Sequence, residues 1–90
     1  MKFINNSKHF VRGLIYGGFP RTQGNRAGSF GDVAPGGDSE SPQLNPGDYY
    51  VVLETTNIGP ITPGLVIAAS GGVPSEGTVI LTDSDRIGIQ

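Results

Sequence analysis

The chain has 90 residues, including 15 Gly, 7 Pro and no Cys, with 36% hydrophobic and 16% charged residues and a net charge of −2. A chain of this length makes one domain and, even well packed, buries only about two-thirds of its unfolded surface. Without Cys it has neither disulfide staples nor thiolate metal sites. A thin, unstapled core gains its missing stability from partners, which argues against a self-contained enzyme.

Charge is unevenly spread along the chain. Residues 1–26 hold Lys2, Lys8, Arg12, Arg21 and Arg26 with no acid, a sum of +5, while residues 27–90 sum to −7 with Arg86 their one cation. A basic end on an acidic body suits an arm that folds on its own body, reaches a neighbouring copy, or meets an acidic surface. Phe3, Phe10, Tyr16 and Phe19 interleave these cations.

In chain order, residues 2–4 offer an edge strand. Residues 9–16 form the first full strand, with Phe10, Arg12, Leu14 and Tyr16 on one face and Val11, Gly13 and Ile15 on the other. Residues 17–47 hold 8 Gly and 4 Pro, with Phe19, Phe30, Val33 and Leu44 as their sizeable apolar side chains. This composition predicts an extended segment that orders against a partner. The turn at 45–48 then opens a strand over 49–55. Further strands follow over 65–70 and 78–82, separated by turns at Gly71-Gly72 and at 74–77, and 86–90 offers a short fifth. No helical stripe runs ten residues without a Gly or Pro.

The fold expected is all-β, a small sandwich or barrel of about 4–6 short strands in one domain over 1–90. Within it, 1–16 is the basic arm and first strand, 17–47 the extended Gly/Pro-rich loop and 48–90 the compact β body. Val51-Val52, Val66-Ile67 and Val79-Ile80 break clean alternation and so predict strands covered on both faces. Subunit contacts would supply the second cover.

Chemistry is sparse. His9 is the one candidate base for a nucleophile, and Lys8 beside it disfavours that role; a strand-end or solvent-facing position suits it better. No catalytic residue, cofactor or metal is expected. Asp83-Ser84-Asp85 and Asp38-Ser39-Glu40 read as solvated turns rather than calcium loops, although a cation at Asp83 and Asp85 stays open. No glycine loop matches a phosphate-binding pattern. The longest apolar runs, 49–53 and 65–69, fall far short of the roughly 20 residues of a membrane helix. The expectation is a soluble chain with no secretory leader, in which the Asn5-Asn6-Ser7 acceptor pattern carries no weight.

In size, lack of Cys, Gly/Pro content and layout (basic arm 1–26, extension 17–47, β body 48–90), the chain resembles the small head decoration, or cement, proteins of tailed phages. That resemblance implies a non-enzymatic virion protein, made in the host cytoplasm, that cements the capsid through arm and loop contacts. Its partners would be the major capsid or another virion protein and its own copies, a trimer being favoured. Phe3, Phe10, Tyr16, Phe19 and Phe30 would be the apolar anchors, and Arg12, Arg21 and Arg26 would meet acidic groups. Two other classes stay open. One is a nucleic-acid-binding small β-barrel, disfavoured by the acidic body; the other is a phage-encoded inhibitor or adaptor of a host protein.

Overall fold

The computed structural model of the chain describes residues 1–17, 26–56 and 65–90. They form eight strands and no helix: β1 (Lys2–Asn5), β2 (Val11–Gly17), β3 (Arg26–Val33), β4 (Asp38–Glu40), β5 (Asp48–Thr55), β6 (Val66–Pro74), β7 (Thr78–Leu81) and β8 (Ile87–Ile89). One four-stranded sheet has the order β4-β1-β7-β8 and the other the order β3-β2-β5-β6. The chain is an all-β sandwich.

The second sheet is antiparallel throughout, and β2 and β5 form its centre, paired without a break from Val11↔Thr55 to Gly17↔Tyr49. In this register Val11, Gly13 and Ile15 face inward with Thr55, Leu53 and Val51. The first sheet is mixed, because β1 lies antiparallel to β4 and parallel to β7. Phe3, Val79 and Leu81 point inward from it, each fully buried. Between the sheets these side chains meet Val11, Ile15, Phe30, Val51, Leu53 and Val73 in one core.

Four expectations change. The sandwich has eight strands rather than about 4–6, because short strands form at both ends of the chain and within 17–47. Residues 2–5 are an interior strand of their sheet, not an edge, because β4 takes up the side of β1 away from β7. The segment 17–47 contains β3 and β4, and its Phe30 and Val33 are core residues. Gly71-Gly72 is no hairpin turn but lies inside β6, where β5 advances from Tyr49 to Val51 while β6 advances from Val73 to Ser70. The extra residue makes a bulge, and Gly72 adopts φ +68° there, a conformation that glycine enters without the Cβ penalty.

Bulges mark both edges of the second sheet. A further one in β6 places Ile67 between the partners of Leu53 and Glu54. Along β3, Ala27 and the Gly31–Asp32 step are each one residue in excess of β2. Bulges twist an edge away from flat pairing with another chain, so both edges are guarded by backbone geometry.

The link from β1 to β2 turns around Asn5, a fully buried polar side chain. Its Nδ2 donates to the carbonyls of His9 (2.8 Å) and Val33 (3.0 Å). Its Oδ1 accepts from the Ser7 backbone N–H (3.0 Å) and the Ser7 hydroxyl (2.6 Å). All four hydrogen-bonding positions of the amide are therefore filled, as burial of an amide requires. The glycosylation pattern at Asn5 is thus a structural hub.

Candidate docking face

The register of β2 and β5 decides which side chains share the outer face of the second sheet. Arg12 pairs with Glu54, Leu14 with Val52 and Tyr16 with Tyr50. The rows extend outward, since Glu54 pairs with Val66 and Val52 with Ala69 on β6, and Leu14 with Ser29 and Tyr16 with Arg26 on β3. The middle of this face is apolar. Val52 is 2% exposed although it points away from the main core, and Leu53 beside it, pointing inward, is fully buried. Leu14 and Tyr50 are half-buried. Among the described residues, Val66 (51% exposed), Leu65 (54%) and Ile89 are the large apolar residues left most open to solvent.

Beside Val66 stands an ion pair. Arg12 Nε lies 3.4 Å from Glu54 Oε1, with 49% of the arginine side chain and 15% of the glutamate side chain exposed. It is a charge contact without a hydrogen bond, because Oε1 is buried and accepts none. A half-exposed pair of this kind contributes at most about 1 kcal/mol to stability. The arginine therefore keeps much of its capacity for an outside carboxylate.

Part of the charge polarity of the sequence is met inside the fold. Arg12 meets Glu54, His9 Nε2 lies 3.2 Å from Asp85 Oδ2, and Lys2 sits opposite Glu40 in the β1–β4 register. The basic N-terminal segment folds on its own acidic body. His9 links the β1–β2 connection to the turn before β8, where the Asp85 N–H donates to Thr82 O and the Arg86 N–H to Thr82 Oγ1. Among the described residues no group of three or more His, Asp or Glu is placed to hold a metal ion, and no helix is long and apolar enough to cross a membrane.

The structure separates the residues singled out from sequence. Phe3 and Phe30 are interior, so neither ring is available as a docking anchor; each is used by the core. Tyr16 is buried on the outer face and Phe10 is half-buried, its carbonyl accepting the Thr56 N–H (3.0 Å). Arg12 and Arg26 are exposed on the outer face at its opposite ends. Phe19 and Arg21 lie outside the described residues. Spacing alone does not single out Val66, the most exposed apolar residue on this face. Its one signal is the uncharged run 65–74, whose apolar residues point by pattern to cover rather than to exposure.

No protein-family model, curated protein or solved structure matches the chain. Its own surface chemistry is therefore the guide to function.

Proposed function

We propose that this chain is a non-enzymatic assembly protein that works by docking onto other subunits, its own copies among them, with the surface of a virion as its setting. The observation that carries the reading is the exposure of two adjacent large apolar residues, Leu65 and Val66, where β6 begins. Large apolar residues left open to solvent side by side are what an interaction surface offers.

Nucleic-acid binding has one observation in its favour, the row Arg26–Tyr16–Tyr50 across β3, β2 and β5. Bases stack on exposed rings, however, and Tyr16 is only 8% exposed. The assembly reading is the better supported.

Its test is the mass of the purified chain by light scattering over a concentration series, with co-sedimentation on capsid shells from the same source. Association into oligomers, or retention on shells, supports it. A monomer at every concentration that ignores shells, and binds single strands with steep salt dependence, would replace it with the nucleic-acid reading.

A further inference from the structure

Of the four sheet edges, β3 and β6 are bulged and β4 is the charged strand Asp38-Ser39-Glu40. The fourth edge, β8, has neither device. We infer that two copies of this chain pair there, β8 against β8, into one continuous sheet. The inference rests on the assembly reading and names the edge and the partner. The ladder with β7 fixes which backbone groups of β8 are free. Thr78 and Gln90 exchange hydrogen bonds in both directions (2.9 Å each), and the Thr82 N–H donates to Arg86 O (2.9 Å). Such pairs alternate along an antiparallel ladder, so Gly88 bonds to its partner Ile80. The N–H and C=O groups of Ile87 and Ile89 therefore point away from β7, and among the described residues no strand of the sheet lies on that side.

The segment matches itself, which argues for a second copy as the occupant. An isologous contact requires one patch to satisfy itself. Ile87-Gly88-Ile89 reads the same in both directions, so a two-fold axis at its centre sets Gly88 opposite Gly88 and each Ile87 opposite an Ile89. In that register each isoleucine pair exchanges both of its N–H···O bonds, and the glycines form the closer pair without hydrogen bonds. The side chains agree with the backbone. Ile87 and Ile89 are cross-strand partners of Leu81 and Val79, both fully buried, and so share their inward face. Ile87 packs on the core, whereas Ile89, on the last strand of its sheet, is 41% exposed. Ile87 of a second copy would stand directly opposite Ile89 and extend the core across the axis. No charge lies among residues 87–90 to oppose the contact.

The experiment is sedimentation equilibrium of the full chain over a concentration series, with amide exchange followed residue by residue by NMR on the same sample. Wild type is expected to form a weak dimer, because a strand of 3 residues offers little contact. On dimerisation the Ile87 and Ile89 amides are expected to slow. The Gly88 and Gln90 amides, already bonded to β7 in each copy, should change little. That alternation is the decisive readout, since a dimer through any other surface would not produce it. Ile89→Pro removes an outward N–H and leaves the β7 ladder its bonds, while Ile89→Lys puts a charge on the edge. Each change counts twice across the axis, so both variants are expected to dimerise at least about tenfold more weakly, with unchanged circular dichroism. Should the proline variant fail to fold, Ile89→Lys and the exchange pattern carry the test. Dimers that Ile89→Lys leaves intact, dimers without the alternating protection, or a wild-type trimer would overturn the edge pairing and leave the assembly reading standing. A wild-type monomer at all concentrations would overturn the inference, and co-sedimentation with shells would then decide the assembly reading separately.

Discussion

Phe3 on β1 and Phe30 on β3 stand with ring centroids 5.4 Å apart and planes tilted by 37°. One ring comes from each sheet, and both are almost wholly buried. This contact fastens the N-terminal strand and the Gly-rich segment 17–47 into a single core, where the sequence suggested an arm and a loop free to engage a partner. Replacing either ring by Ala is expected to cost about 3–5 kcal/mol, the range for large core aromatics. Against a total stability of roughly 5–15 kcal/mol, such a loss would show as a large drop in the denaturant midpoint. A change below about 1 kcal/mol in either variant would mean that the two sheets are held elsewhere.

Gly13 is the seat for Phe30. The two are cross-strand partners, and a Cβ at Gly13 would overlap the Phe30 ring and come within 3.3 Å of Leu53. Glycine in a strand often marks such a close approach, where a neighbouring ring covers the backbone. Gly13→Ala is expected to destabilise by about 1–3 kcal/mol, as overpacking does. Combining it with Phe30→Leu should cost less than the sum of the two single changes, because both act on the same volume. Strict additivity in the urea midpoints would contradict this geometry.

Asn5 offers a conservative test of the buried hub. Asn5→Asp keeps the shape but removes the two N–H donors that now serve the carbonyls of His9 and Val33. Each orphaned buried acceptor costs about 1–3 kcal/mol. The variant should unfold at a markedly lower temperature near neutral pH, and amide exchange should quicken first in residues 5–11. Wild-type melting would show that the side-chain network is dispensable.

Edge protection by bulges predicts an aggregation phenotype. Deleting Gly72 removes the extra residue between Ser70 and Val73 and lets β6 pair regularly with β5 at that point. The straightened strand has no charge among residues 66–74 to discourage pairing with another chain. Light scattering on heating should therefore rise sooner for the deletion than for Gly72→Ala. The latter keeps the bulge and bears only the cost of the left-handed backbone, about 1–2 kcal/mol.

Asp85 separates backbone strain from charge. It is the one non-glycine residue at positive φ (+62°) among the described residues, and its carboxylate meets His9. Asn enters this conformation at least as readily as Asp, so Asp85→Asn isolates the contact between the carboxylate and His9 and should change stability by less than about 1 kcal/mol. Asp85→Val places a β-branched side chain where it is a true outlier and should cost more than Asn does. Equal thermal melts for the two variants would remove strain from the account.

The strands with intact alternation or an unbroken apolar run are legible in the sequence. β2, β5 and β7 follow from it within one or two residues of their bounds, and the turns at 45–48 and 74–77 that precede β5 and β7 lie where turn-forming residues cluster. β3 is not legible, for a definite reason. Its core residues Phe30 and Val33 are three apart, because the Gly31–Asp32 bulge inserts a residue, and a second bulge at Ala27 breaks the period again. A strand whose period is broken twice reads as loop. β4 leaves no trace in the pattern, because its three residues, Asp38 to Glu40, carry no apolar signal at all. The outer face of the second sheet is half legible, since Val51-Val52 points to cover on both faces but cannot say which neighbours share the outer one.

Composition and period alone determined that this chain is all-β, because local backbone preference and apolar spacing act between near neighbours in sequence. They also determined that one end is basic and the remainder acidic. Tertiary structure alone decided where that polarity went. Arg12 and Glu54 are 42 positions apart in sequence, and only the pairing of β2 with β5 sets their side chains 3.4 Å from each other. The same is true of Phe3 and Phe30. Contacts between distant positions depend on register and on bulges, and register is settled by the whole sheet rather than by any one strand.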